Sequence, residues 1–322
     1  MGKLGIGRLL VAGGAGFLGS AFVRDRLRAD SEVAITVLDA LRRPTAEEGL
    51  ADLRDDRRFA LVRGDVGDRP LVEQLASNVD AIVSFATDEF VGRDPDAASV
   101  VRTDVAGTAT LLQAARKFRH QRFLLVSTME VYGPLKAAPS REEDALAPRT
   151  VPAAARAAAE LFTRAFNGRQ GVPVLVTRSA TAYGPRQPLD QPVARMITSA
   201  LQGLPVPLEG DGSALRDYLF VDDQVGAIAR VLWKGEPGTV YNVGAGAQLS
   251  SRDLAETILR LCGQPASLKR AAGDGPGWSY GMETRRMRPL GWEPRTTLSD
   301  GLRLTVDWYR KNEGWWRPAA AA

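Results

Sequence analysis

The chain has 322 residues, of which 42 are Lys or Arg and 38 are Asp or Glu, so its formal net charge is only +4. A balance this close argues against nucleic-acid binding, and the sequence has no basic run interleaved with aromatic residues. We therefore expect a small-molecule substrate and no nucleic-acid partner.

A single cysteine, Cys262, excludes a disulfide within the chain and a cysteine-based metal cluster. No apolar stretch approaches the length of a membrane span, and no signal-peptide pattern is present. We expect a cytoplasmic protein without membrane association or a metal site. Cys262 is expected to be a packing residue, and the only histidine, His120, a solvated residue that complements the dipole at a helix end.

The first element in chain order is an apolar strand that runs into a glycine-rich turn and then into a helix, over residues 8–20. Gly13, Gly16 and Gly19 recur at every third position. This spacing permits a tight turn, close approach of the backbone to a pyrophosphate, and close packing of helix on strand. Because the helix begins near Phe17, its first amides would face the phosphates. The stretch predicts a dinucleotide-binding turn.

The second predicted strand, residues 33–39, ends in Asp39, about 20 residues beyond the glycines. A carboxylate at this place suits the two ribose hydroxyls of NAD. Arg42 and Arg43 follow it, and an arginine there can instead hold the 2′-phosphate of NADP. We favour NAD, because Asp39 would repel that phosphate.

Strand and helix patterns alternate along the following segments, which predicts an α/β fold with a doubly wound parallel sheet. Further strands are expected at residues 59–63, 80–85, 122–127 and 172–178, with helices near 71–76, 97–118 and 152–166. Residues 1–183 are expected to form the dinucleotide-binding domain and residues 184–322 a smaller α/β substrate-binding domain. Segments near 217–244 are expected to return to the first domain.

Short motifs are spread over nearly the whole chain. They are Gly13-Gly-Ala-Gly-Phe-Leu-Gly19, Gly64-Asp-Val66, Phe85-Ala86, Gly107-Thr108, Ser127-Thr-Met-Glu-Val-Tyr-Gly133, Tyr183-Gly-Pro-Arg-Gln187, Arg216-Asp217, Val221-Asp-Asp223, Tyr241-Asn-Val-Gly244 and Trp308-Tyr-Arg-Lys-Asn-Glu-Gly-Trp-Trp316. Together they resemble the extended short-chain dehydrogenase/reductase superfamily, and within it the dTDP-glucose 4,6-dehydratase branch of nucleotide-sugar enzymes.

The resemblance implies a Rossmann-type domain that holds NAD, a smaller domain that holds a nucleoside-diphosphate sugar, and chemistry in the cleft between them. The implied cofactor residues are Gly13, Gly16, Phe17, Leu18, Asp39, Asp65, Val66, Phe85, Ala86, Ser127 and Arg156. Tyr183 and Arg216 are implied to contact the substrate, Arg216 through its diphosphate. A homodimer is also implied, paired through the helices near 97–118 and 152–166.

The catalytic helix departs from the family pattern, in which a tyrosine is followed four residues later by a lysine. Those positions are Pro152 and Arg156. In the family, the lysine lowers the pKa of the phenol, which takes a hydroxyl proton while hydride leaves for NAD. Proline cannot do this, whereas Arg156 keeps the positive charge with a different geometry. Tyr132 and Tyr183 are the phenols that could replace the lost one.

The Thr-Asp-Glu triplet of dehydratases is here Thr128-Met129-Glu130. Thr128 is expected to orient the substrate and Glu130 to act as a general base, while Met129 cannot donate a proton. Our leading interpretation is an NAD-binding nucleotide-sugar enzyme in which Glu130 abstracts a proton beside the carbonyl of a keto-sugar, with no net hydride transfer.

The nucleotide-sugar pocket also departs from the family. The paired asparagines appear as Thr181-Ala182, a further asparagine as Ala214, a histidine as Gln224, and a basic segment as residues 274–279. These departures leave two alternatives open: a catalytically silent NAD-binding partner or scaffold, and an enzyme that acts on a substrate other than a sugar nucleotide.

Overall fold

The computed structural model describes residues 4–43, 46, 48–88, 96–136, 138–271 and 277–320. The strands are β1 (Arg8–Ala12), β2 (Ala34–Asp39), β3 (Phe59–Arg63), β4 (Ala81–Ser84), β5 (Arg122–Thr128), β6 (Val174–Ser179), β7 (Thr181–Tyr183), β8 (Val206–Leu208), β9 (Leu215–Phe220), β10 (Val240–Val243), β11 (Gln248–Ser250) and β12 (Lys269–Ala271).

The helices are α1 (Phe17–Ala29), α2 (Arg69–Ala76), α3 (Ala97–Val100), α4 (Thr108–Lys117), α5 (Val151–Asn167), α6 (Pro192–Leu201), α7 (Val221–Lys234), α8 (Ser251–Cys262), α9 (Leu298–Lys311) and α10 (Glu313–Ala320). A π-helical stretch, Val101–Gly107, joins α3 directly to α4.

Seven strands form one parallel sheet in the order β10-β6-β5-β4-β1-β2-β3. The predicted doubly wound sheet is therefore confirmed. β1 and β4 are buried almost throughout, because helices cover both faces of the sheet. On one face α1 packs against α7, and on the other α4 packs against α2 and α5. The strand order reverses between β1 and β4, where such sheets bind ligands at the carboxyl ends of the strands.

A smaller unit lies beyond that edge. It contains a three-stranded sheet, β11-β9-β7, and a two-stranded parallel sheet, β12-β8, with α6, α8 and α9 packed around them. Between these strands the chain returns to the main sheet, where α7 covers β6 and β10 extends the edge beside β6. No helix of the described residues is both long and apolar enough to span a bilayer.

His120 is not solvated, so that prediction is wrong. The chain turns at Arg119, where φ is +53°, and carries His120 back into the protein. There its Nε2 lies 2.8 Å from the carbonyl oxygen of Ala76, and burial lowers the pKa of the imidazole. Cys262, at the end of α8, packs half-buried against the core, as expected.

Candidate functional site

A cavity of about 330 Å³ lies at the carboxyl ends of the main-sheet strands. Every predicted cofactor residue lines it: Gly13, Gly16, Phe17, Leu18, Asp39, Asp65, Val66, Phe85, Ala86, Ser127 and Arg156. Thr128 and Glu130 line it too, but Tyr183 and Arg216 are not among its lining residues. We call this cavity the cleft.

Two glycines of the turn, Gly13 and Gly19, have no room for a side chain. Gly13 has φ +73°, and a Cβ there would lie 2.6 Å from the backbone nitrogen of Ala86. A Cβ on Gly19 would overlap the carbonyl oxygen of Gly13. Gly16 is the N-cap of α1 and offers no side chain to its first amides, which begin at Phe17 in the wall of the cleft. An uncapped helix N-terminus in this position suits a pyrophosphate.

Asp39 is held rigidly at the end of β2. Its Oδ2 accepts a hydrogen bond from the amide of Ala15 at 2.9 Å, and its Oδ1 accepts one from the amide of Leu41 at 2.8 Å. The carboxylate thereby ties the glycine turn to the neighbouring strand. It remains in the wall of the cleft, where it suits a ribose diol.

The two arginines that follow Asp39 are engaged by carboxylates. Arg42 lies 3.0 Å from Asp65 and 2.8 Å from Asp88. Arg43 makes two contacts of 2.8 Å with Asp190. These ion pairs favour NAD over NADP, because a 2′-phosphate would have to compete with three carboxylates for the two cations.

Arg156 bridges α5 to the opposite wall of the cleft. Its Nη2 donates to the carbonyl of Ala86 at 2.9 Å and lies 3.0 Å from Oδ1 of Asp104. Asp104 is buried in the π-helical stretch and also accepts hydrogen bonds from Thr87 Oγ1 and the amide of Asp88. The Nη1 of Arg156 is buried without a hydrogen-bond partner among the described residues. A ribose hydroxyl in the cleft fits this spare donor, so the residues present fit a dinucleotide.

Pro152 lies in the cleft wall where the family has its phenol. It stands in the first turn of α5, whose N-cap Thr150 accepts a hydrogen bond from the amide of Ala153 at 3.2 Å. The first turn tolerates proline because its amide would have no helical partner there. The helix is therefore intact, but this position can neither donate nor accept a proton.

Neither candidate tyrosine is placed to replace that phenol. The hydroxyl of Tyr132 donates to Asn242 at 2.7 Å and accepts from Arg178 at 2.8 Å, and burial raises its pKa to about 12. Tyr183 was also predicted to contact substrate, but its ring packs in the core 5.7 Å from that of Phe220. The structure brings neither tyrosine to the cleft wall.

Glu130 and Arg216, which are far apart in sequence, form an ion pair. Nη1 of Arg216 donates to Oε1 of Glu130 at 2.9 Å, and its Nε donates to Glu209 at 2.8 Å. Thr128 caps the short 3₁₀ turn that carries Glu130 by accepting a hydrogen bond from the Glu130 amide at 3.3 Å. Met129, where the family has its acid, is buried in the core.

A buried ion pair behind the cleft was not predicted from the sequence. Arg178 in β6 and Glu160 in α5 meet at 2.7 Å, and Glu160 also accepts a hydrogen bond from Ser127 in the cleft wall. The available signal was the only charged residue of β6 and the only acidic residue of the alanine-rich α5. In the described part of the chain, no group of His, Cys, Asp and Glu side chains is placed to hold a metal ion.

Comparison with known proteins agrees with this geometry. The model of the NAD dependent epimerase/dehydratase family matches residues 9–244. The dTDP-glucose 4,6-dehydratase of Streptomyces niveus is 41% identical over 319 residues, covering 97% of this chain and 95% of the relative.

Solved structures of dehydratases and epimerases are also similar to this chain. A dTDP-glucose 4,6-dehydratase from Bacillus anthracis in complex with NAD is 35% identical, with a TM-score of 0.91 over 97% of this chain and 99% of that one. A UDP-glucose 4-epimerase from Thermotoga maritima with UDP-glucose is 27% identical, with a TM-score of 0.85 over 95% and 99%. The match over most of the sequence, together with the glycine turn and the cleft, shows that this chain belongs to the NAD dependent epimerase/dehydratase family.

Proposed function

We propose that this chain is an NAD-binding nucleotide-sugar enzyme that moves a proton instead of a hydride, on a sugar that already carries a keto group. The observation that carries the proposal is the cleft wall itself: Glu130 and Thr128 remain, whereas Pro152 stands in place of the phenol. The names of the relatives, dehydratases and epimerases of sugar nucleotides, support this class of substrate.

NAD, the cofactor of the family, supplies hydride exchange when bound. Coupling that exchange to a hydroxyl proton needs a base at the reacting oxygen, which Pro152 cannot be. Arg156 keeps its charge in the cleft but is engaged by Asp104 and Ala86. These residues therefore support a cofactor-binding role for this end of α5 and leave proton chemistry to another part of the cleft.

Glu130 is suited to abstract a proton from the carbon beside a keto group. The C–H electrons would move into the adjacent C–C bond while the carbonyl oxygen takes the negative charge, which gives an enolate and a protonated Glu130. Delivery of a proton from solvent to the opposite face would invert that carbon, and Glu130 would release its own proton to solvent. Alternatively, loss of a neighbouring hydroxyl as water, with the proton supplied by solvent, would give an unsaturated ketone.

Hydrogen exchange tests this assignment. The protein is incubated with dTDP-4-keto-6-deoxyglucose in D₂O, and deuterium on carbon is followed by NMR and mass spectrometry. We expect exchange above the protein-free rate, with a loss of at least about 100-fold for Glu130→Gln, in line with general-base contributions. A matched control is Glu73→Gln, which removes an ion-paired carboxylate on α2 away from the cleft.

The alternatives predict different results. If the wild type retains NAD but gives no exchange, the proton chemistry is wrong and the catalytically silent partner is favoured. If neither dTDP nor UDP raises the melting temperature, the substrate is not a sugar nucleotide, because a ligand that binds only the folded state must stabilise it. Exchange that survives Glu130→Gln would remove Glu130 from the mechanism.

We further propose a homodimer paired through α5 and the helical stretch from α3 to α4. Leu161 and Phe162 on α5 are 58% and 45% exposed, and Val101, on the helical stretch that packs against α5, is 49% exposed. Light scattering should give twice the chain mass at micromolar concentration, and Leu161→Glu with Phe162→Glu should give the monomer mass. Leu304→Glu, on exposed α9, is the control. A wild-type monomer would refute the pairing.

A further inference from the structure

Two buried polar atoms at one end of the cleft have no hydrogen-bond partner among the described residues. They are Oγ of Ser179, at the end of β6, and Oε1 of Gln224, in the first turn of α7. Both residues line the cleft. Gln224 is fully buried, and its Nε2 lies 3.5 Å from the carbonyl oxygen of Ala180, so the amide oxygen is the atom left unsatisfied.

Because both atoms lie in the cleft wall, a ligand bound in the cleft would satisfy them. An unpaired buried acceptor costs about 1–3 kcal/mol, and folded proteins leave few of them. Gln224 Oε1 can only accept a hydrogen bond, so its partner must be an N–H or O–H donor. Ser179 Oγ can donate or accept. Together they would satisfy a group that has both a donor and an acceptor.

The strand order identifies which part of a bound dinucleotide reaches these atoms. Asp39 ends β2, on one side of the glycine turn that follows β1. Ser179 ends β6, three strands from β1 on the other side, which is about 14 Å at the usual strand spacing. With the pyrophosphate at the turn and a ribose at Asp39, the nicotinamide half extends over β4 and β5 toward β6. The polar group on that ring is a carboxamide.

We propose that Gln224 and Ser179 bind the carboxamide of the nicotinamide. Gln224 Oε1 accepts a hydrogen bond from the amide N–H, and Ser179 Oγ donates one to the amide oxygen. The pair thereby selects a dinucleotide with an N–H at this position and sets the orientation of the ring in the cleft. The inference depends on NAD binding and is independent of the proton chemistry assigned to Glu130.

The test is competition between two dinucleotides, read by mass spectrometry of the intact complex. Protein freed of its own dinucleotide is mixed with equal amounts of NAD and 3-acetylpyridine adenine dinucleotide, in which a methyl group replaces the amide nitrogen. We expect the wild type to prefer NAD by about 10-fold, because the analogue leaves Gln224 Oε1 unpaired. In Gln224→Met the preference should fall below about 2-fold, since no acceptor remains.

Gln187 provides a matched control. It is equally buried, its Nε2 donates to the carbonyl of Ala182 at 2.8 Å, and its Oε1 is also unpaired, but it does not line the cleft. Gln187→Met should keep the wild-type preference. Ser179→Ala should weaken both dinucleotides alike, because both retain the carbonyl oxygen.

Two results would overturn the proposal: equal binding of the two dinucleotides by the wild type, or an undiminished preference in Gln224→Met. A ratio measured within one sample does not depend on how much of a variant is folded. The ratio reports dinucleotide binding without turnover, so failure of the proton chemistry and failure of this inference are distinguishable.

Discussion

Replacing Glu160 by glutamine is expected to destabilise the protein strongly. The side chains of Glu160 and Arg178 are 0% and 1% exposed and meet at 2.7 Å. Oε2 of Glu160 accepts hydrogen bonds from both Nε and Nη2 of Arg178, and its Oε1 accepts one from Ser127. In Glu160→Gln the guanidinium stays buried without its counter-charge, which costs about 3–5 kcal/mol when one partner of a buried pair is removed.

The free energy of unfolding, measured by urea denaturation at pH 7, tests this value. The reason for the loss is tested by adding Arg178→Met, which removes the unpaired charge as well. The double variant should then be more stable than the sum of the two single losses predicts, by about 2 kcal/mol. A loss below about 1 kcal/mol for Glu160→Gln, or strictly additive losses, would refute the argument that the buried charges depend on each other.

Three further changes test the cleft and its surroundings. Arg156→Met should lower NAD affinity about 10-fold, because a charged hydrogen bond is lost, whereas Arg156→Lys should stay within about 3-fold of the wild-type affinity. Calorimetry measures both affinities, and equal losses in the two variants would count against an effect of the charge. Gly19→Ala should abolish NAD retention, because the added Cβ overlaps the carbonyl oxygen of Gly13. Gly5→Ala should retain NAD, because a Cβ at that position meets nothing within 4 Å. Retention of NAD by both variants would contradict the tight turn. Burial raises the pKa of Asp217 to about 6 from 3.8. The folded state therefore binds this proton more tightly than the unfolded state does, and the contribution of Asp217 to the free energy of unfolding falls by about 3 kcal/mol as pH rises from about 4 to about 7. Asp217→Asn should remove that fall, and parallel stability curves for the two proteins would show the assignment to be wrong.

Much of the fold and of the cofactor cleft could be predicted from the sequence, because these features depend on local pattern. Apolar runs alternating with helical periodicity imply parallel strands, and the carboxyl ends of parallel strands meet at one edge. Residues at or just after the ends of β1 to β5 therefore had to converge, which is why the cofactor residues implied by the family resemblance line the cleft, together with Arg156 on α5. The replacement of the family's phenol by Pro152 could also be recognised from the sequence, because it depends only on counting positions along one helix.

Contacts between distant segments were decided by the tertiary structure alone. The pairing of Glu130 with Arg216 spans 86 positions, and the pairing of Arg156 with Asp104 joins two different helices. The burial of His120 likewise depends on the turn at Arg119. Local pattern constrains the backbone of each element, but the angles and distances at which elements pack determine which side chains meet. Those packing relations left Gln224 Oε1 buried and unpaired beside the cleft, which nothing in the local sequence could indicate.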